Sequence, residues 1–178
     1  PDDFVSIQRV GDGTKRGDPT RTGQFGLGFN AVYHVTDVPS FVSGRHAVFF
    51  DPHGTHLPNG VPGLFVDLRR ARDAGDELGG ALAPFDGVFG FDAATAAWAT
   101  ASGKGTLVRL PLRSGAQARA SKIRRGQGAA PSVADCWREV VAPCVDGVAR
   151  RLLFLKTVES VEVCVRLDAA APPRRVLA

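Results

Sequence analysis

The chain has no methionine, three cysteines and one tyrosine among its 178 residues. With no initiator residue, the sequence is expected to be an amino-terminally truncated piece of a longer chain. Cys136, Cys144 and Cys164 form no CxxC pair. Neither a disulfide framework nor a zinc cluster is therefore favoured, and a reducing, cytoplasmic compartment fits best. No apolar run approaches the roughly 20 residues of a membrane helix, so no membrane partner is expected. No secretory pattern opens the chain either. Acidic residues are absent between Asp92 and Asp135, and the whole formal excess of +4 lies beyond residue 110. In that stretch Arg113, Arg119, Lys122, Arg124 and Arg125 sit among Gly, Ala and Ser. Without interleaved aromatics this reads as a solvated, flexible basic loop over 113–131, with nucleic-acid binding as the weaker alternative.

What is present suffices for one core. Apolar residues make up 44% of the chain, in a length ordinary for one domain, so residues 1–178 are read as a single domain. The 21 glycines and 12 prolines are many, yet fewer than in disordered chains. A polar, lid-like segment over 9–22 leads to a helix expected over Gln24–Val35. A hairpin follows, with strands Val38–Ser43 and His46–Phe50 around Gly44-Arg45. Further strands are expected near Leu64–Leu68, Gly87–Phe91 and Thr106–Leu112, the last marked as an edge or ladder gap by Pro111. A helix opens near Ser132, is kinked or stopped at Pro143 and resumes over Val148–Phe154. Val161, Val163, Val165 and Leu167 alternate with polar partners in a final half-buried strand. The expected class is α+β, a two-layer sandwich with helices on one face of a mixed, mostly antiparallel sheet.

Gly23-Gln24-Phe25-Gly26-Leu27-Gly28-Phe29-Asn30 spaces three glycines as GxxGxG and runs into a helical pattern. Such a loop brings backbone amides close to an oxyanion, and the first-turn amides of the helix lack intrahelical partners. The order of glycines is not that of a dinucleotide fingerprint. Gly103-Lys104-Gly105-Thr106 places a glycine between lysine and hydroxyl, which excludes an ordinary P-loop. By itself the run is read equally well as an anion site or as a turn that lets a helix pack closely. Asp51, His53 and His56 are open to a metal reading, but no further ligand accompanies them; the Asp-Pro-His turn ending a strand is the better one, and no metal ligand is assigned.

The stretch Arg21–Ser40, then Ser43-Gly44, Asp51-Pro52-His53, Phe85–Gly90, Gly105–Arg113 and Leu153–Val158 followed by Val161–Val165, resembles the sacsin and No Vein family across nearly the whole chain. That family carries a domain similar to the amino-terminal ATPase of the ninety-kilodalton heat-shock chaperone, a GHKL (Bergerat-type) fold. The resemblance implies ATP with Mg²⁺ as cofactor. Gly23, Gln24, Phe25, Gly26, Leu27, Gly28 and Phe29 would sit at the phosphates, and Thr106 would face the adenine side. It implies a chaperone or co-chaperone role in protein folding, with client proteins and the seventy-kilodalton heat-shock chaperone as partners. The alternative is a scaffold or client-binding module that keeps the shape without nucleotide. In GHKL proteins the glutamate base, the asparagine that holds the metal and the aspartate turn precede the glycine loop, and none is matched here. No catalytic residue is therefore assigned, and hydrolysis is left to a longer parent.

Overall fold

The structure, a computed structural model, describes residues 27–100, 103–123, 132–154, 158–166 and 174–177, with backbone alone for 27, 28, 144, 151 and 175–177. The expected lid over 9–22 and most of the glycine run lie outside the described residues. The chain divides into two compact units, Pro1–Ala130 and Pro131–Ala178.

In the first unit, helix α1 (Leu27–Asn30) passes directly into a 3-10 turn over Ala31–His34. Strands β1 (Ser40–Ser43), β2 (His46–Phe50) and β3 (Gly63–Asp67) follow, then helix α2 (Leu68–Asp73) and α3 (Gly79–Leu82). A short hairpin, β4 (Phe91–Asp92) and β5 (Ala97–Trp98), leads to β6 (Thr106–Arg109) and helix α4 (Gly115–Ala120). Strands β3-β2-β1-β6 form one sheet in that order, and every neighbouring pair in it is antiparallel. This is an α+β arrangement, with β3 and β6 at the two edges.

The β1–β2 turn closes on Gly44 at φ 54°, a left-handed conformation that glycine adopts without a Cβ penalty. It sets the register Phe41↔Val48 and Val42↔Ala47. Because side chains alternate across a sheet, that register sorts two clusters onto opposite faces. On one face Val42, Ala47 and Leu107 pack with Leu68 of α2, Leu82 of α3, Phe85 and Phe91. On the other Phe41, Val48 and Phe50 pack with Phe29 of α1. Helices thus lie on both faces of this sheet, where the sequence reading had placed them on one. The segment between β3 and β6 supplies the extra layer, because α2 and α3 each carry a buried leucine toward the sheet.

Several local expectations are corrected. The strand expected over Gly87–Phe91 is mostly a 3-10 turn at Val88–Gly90, since Gly87, Phe89 and Gly90 have φ of 69°, 46° and 79°. Part of the expected flexible basic loop is ordered. Ser114 caps α4 in a reciprocal capping box with Gln117, which satisfies two amides that would otherwise lack partners. Residues 124–131 of that loop lie outside the described residues.

In the second unit, Ser132 and Asp135 form another capping box at the start of α5 (Val133–Cys136). The helix then widens into a π-turn over Trp137–Val141, in which the Ala142 amide donates to the Trp137 carbonyl. Pro143 explains the widening, since it offers no amide to the carbonyl four residues before it and its ring crowds that group. Helices α6 (Ala142–Asp146) and α7 (Val148–Leu152) follow, and β7 (Val163–Val165) pairs antiparallel with β8 (Arg174–Leu177).

Candidate functional site

The glycine run leads straight into the α1/3-10 segment, whose far end is held by an unusual concentration of bonds. Arg113, beyond β6, is 5% exposed. Its guanidinium donates to the main-chain carbonyls of Tyr33 at 2.7 Å, His34 at 3.0 Å and Thr36 at 3.0 Å. These are carbonyls at a helix end, where a cation both fills the acceptor positions and opposes the negative end of the dipole. The same guanidinium donates to Asp37 Oδ1 through Nε at 2.9 Å and Nη2 at 2.6 Å. The Arg113 amide donates to the Val35 carbonyl at 3.2 Å. Ser121, just past α4, adds a hydroxyl bond to the same Asp37 oxygen at 2.9 Å.

Around Asp37 the chemistry is that of a satisfied buried ion pair. Burial alone would push its carboxyl up, but the bonds from Arg113 and Ser121 outweigh this and hold it below the ordinary carboxylate range. His53 Nε2 accepts from the Lys122 amide at 2.9 Å, and its Nδ1 lies 3.9 Å from Asp37 Oδ2. Tyr33 is raised, first by burial and then by the Asp37 charge. The node joins the end of the glycine-loop helix to the segment after β6 and to the loop after β2. Its groups are mutually paired, so its role is positioning and not proton transfer.

Asp51, fully buried at the end of β2, organises the next loop by accepting from the His56 amide at 2.5 Å and the Leu57 amide at 2.9 Å. Burial raises its carboxyl and these amide bonds lower it further, so the net direction is down. The Asp-Pro-His turn is therefore an anchor for the loop. Among the described residues no group of three or more His, Cys, Asp or Glu side chains is placed to hold a metal ion, and no helix is long and apolar enough to cross a membrane.

Of the residues expected at a phosphate, Gly23, Gln24, Phe25 and Gly26 lie outside the described residues, while Leu27 and Gly28 form the first turn of α1. Phe29 is directed into the core, its ring 6.0 Å from Phe41 and 5.2 Å from Phe50. It anchors the helix against the sheet, so at a phosphate Phe29 would contribute its backbone amide. Thr106 opens β6 and its hydroxyl lies 2.7 Å from that of Ser43 across the strand pair. Gly105, before it, lies against the indole of Trp98, so closely that a Cβ there would enter the ring. The Trp98 indole donates to the Gly44 carbonyl at 3.0 Å, and the Gly44 amide donates to the Gly105 carbonyl at 3.0 Å. Asp37 and Arg113 were not singled out as a pair by sequence reasoning. The available signal was that Arg113 closes the patterned stretch from Gly105, unlike the arginines that follow it.

A profile of the Sacsin domain family matches residues 1–177. Sacsin from Homo sapiens is 35% identical over 126 residues, covering 68% of this chain and 3% of that protein. The chain thus spans a small fraction of the length of the curated relative it matches.

Proposed function

The chain belongs to the Sacsin domain family, and from that premise we propose that it is an ATP-binding module of the GHKL type. In this reading a longer chaperone or co-chaperone uses the module for conformational switching in protein quality control. The observation that carries the reading is the position of α1, which begins at Leu27 within the glycine run Gly23–Gly28. First-turn amides have no intrahelical acceptors, and together with a glycine loop they suit the oxygens of a phosphate. The Arg113–Asp37 node then fixes the opposite end of the same segment, so the amides are presented by a held element.

The proposed cofactor is ATP with Mg²⁺, with Gly23–Phe29 at the phosphates and Thr106 toward the base. The residues at hand fit the phosphate half alone, because no carboxylate of this chain matches the metal-holding or water-activating positions of GHKL proteins. Three or four charge-assisted amide bonds of about 1.5–3 kcal/mol each must overcome an association cost of about 4–15 kcal/mol. Affinity of this half by itself is therefore on the order of millimolar. Clients, the seventy-kilodalton chaperone and a cytoplasmic location belong to the same proposal.

A second reading is a nucleotide-independent scaffold of the same shape, favoured by the Thr106 hydroxyl already being bonded to Ser43. Calorimetric titration of Mg-ATP into this chain and into one extended upstream with the parent's own residues separates the two. Tighter binding by the extended form, abolished by Gly28→Val, is expected for the nucleotide module. Absence of binding by both forms would leave the scaffold.

A further inference from the structure

The loop after β2 and the chain after α4 meet at His53, whose Nε2 accepts from the Lys122 amide at 2.9 Å. The loop is the fixed side of this contact. Asp51 accepts from the His56 and Leu57 amides, and the Gly54 amide donates to the Asp51 carbonyl at 2.8 Å. Gly54, at φ 64°, lies so close to Gly60 that a Cβ would meet its carbonyl oxygen. The other side is held less firmly. Ser121 caps the end of α4, its amide donating to the Gln117 carbonyl at 2.9 Å, and the exposed Lys122 comes next, tied through its amide to the ring. An amide can only donate, so His53 receives it on a lone pair and the neutral ring carries its proton on Nδ1.

We propose that His53 is a pH-dependent latch: the neutral ring holds the chain after α4 to the loop after β2, and the protonated ring releases it. An imidazolium carries a proton on both nitrogens, which turns Nε2 from acceptor to donor and sets two N–H groups against each other. Histidine is the side chain that makes this change between about pH 5 and 8. The His53 side chain is 12% exposed, so little water is at hand to bridge ring and amide. The charged groups around the ring decide where its cationic form goes. Asp37 Oδ2 lies 3.9 Å from Nδ1. Burial alone would raise the Asp37 carboxyl, but the bonds from Arg113 and Ser121 hold it low, so it stays ionised while the ring titrates. Arg113, from beyond β6, is bonded to Asp37 Oδ1 and leaves Oδ2 toward the ring. Lys122, from beyond α4, lines the same cleft as His53 and adds a second positive charge. His56, on the same loop, lines the cleft too but faces Asp51 at 3.6 Å. A cationic His53 is thus drawn to Asp37 and opposed by Lys122, and both effects take it off the Lys122 amide.

The test is the Lys122 amide of a ¹⁵N-labelled chain, followed from about pH 8 to about pH 5 beside the His53 ring-proton resonance, which is assigned by its absence from His53→Gln. In the unaltered chain the hydrogen-exchange protection of this amide is expected to fall about tenfold, with the midpoint of the His53 ring shift. The Ala118 amide of α4, bonded to the Ser114 carbonyl at 2.9 Å, is expected to keep its protection. A glutamine oxygen accepts an amide proton and does not titrate in this range, so His53→Gln should hold Lys122 at both ends of the titration. His53→Ala should leave it unprotected at both. Constant Lys122 protection in the unaltered chain, or a fall whose midpoint differs from that of the ring, overturns the proposal. So does a fall kept in full by His53→Gln, or an equal loss at Ala118, which would mean that α4 loosens as a whole. The measurements on the unaltered chain need no variant and stand whatever the substitutions do to folding. No nucleotide enters the titration, so its outcome is independent of the ATP reading.

Discussion

Arg113 does several jobs at once, and its removal separates two magnitudes. A surface ion pair is worth about 0–1 kcal/mol, whereas breaking a buried pair costs about 3–5 kcal/mol because the surviving charge stays buried. Arg113 and Asp37 are buried, and Arg113 also fills three carbonyls. Arg113→Ala is therefore expected to lower unfolding stability by about 3–5 kcal/mol in urea titrations. Arg113→Lys recovers only part, since an ammonium cannot reproduce the fork. A loss under 1 kcal/mol for Arg113→Ala would place the pair with surface bridges.

The same carboxylate makes the molecule acid-sensitive in a defined direction. Asp37 titrates below its ordinary 3.8 in the folded chain, so near that pH the unfolded chain binds more protons. Stability from this group is complete above 3.8 and is lost as pH falls through the lower folded value. In Arg113→Ala the groups that lower it are reduced to Ser121 and His53, so the stability of the variant should depend less steeply on pH between about 5 and 3. An unchanged slope would assign the acid sensitivity to other carboxylates.

Between elements, the most exacting contact is the one closing β1, β5 and β6 on one another. Trp98 bonds Gly44, Gly44 bonds Gly105, and Gly105 has room only for hydrogen beneath the indole. Gly105→Ala must displace Trp98, which also packs on Phe91 with ring centroids 5.0 Å apart. Overpacking of this kind costs about 1–3 kcal/mol, and a red shift of tryptophan emission should accompany it as the indole gains water. Unaltered emission together with unaltered stability would mean the ring moves aside freely. Glycine before Thr106 is thus required by packing, whatever the threonine contributes to a ligand.

Legibility also differs by element. The β1–β2 hairpin was readable because Gly44 sits between two apolar alternations, and the observed strands differ only in that β1 begins at Ser40. Pro39 has no amide for the ladder, although its carbonyl still accepts from Phe50. The helix opening near Ser132 and the disturbance at Pro143 were readable from local chemistry, as was the strand opening at Thr106. The helix over Gln24–Val35 was placed correctly in its described part but without its change to 3-10 winding at Ala31. The β4–β5 hairpin was hidden because its strands are two residues each, too short for any periodicity. The Asp37–Arg113 pair spans 76 positions; no local pattern encodes such a contact, and Arg113 read as one more cation in a basic stretch.

At the scale of the whole molecule, the two functional readings differ in how a ligand couples to stability. A ligand that binds the folded state alone stabilises it by RT ln(1 + [L]/Kd), about 1.4 kcal/mol at ten times Kd. For a chain of this length that corresponds to a rise in unfolding midpoint of about 3–6 °C. The nucleotide module is therefore expected to show this rise in Mg-ATP at roughly 10 mM, given an affinity on the order of millimolar. Gly28→Val should unfold at its own midpoint with no further rise. Arg113→Lys should start from a lower midpoint and keep a rise, because it perturbs the far end of the helix segment without touching the loop amides. A rise retained in full by Gly28→Val would mean that the nucleotide acts elsewhere, for instance by screening the basic segment beyond residue 110. An equal rise with the same ionic strength of sulfate would lead to the same conclusion, because an effect of charge alone does not require a glycine loop.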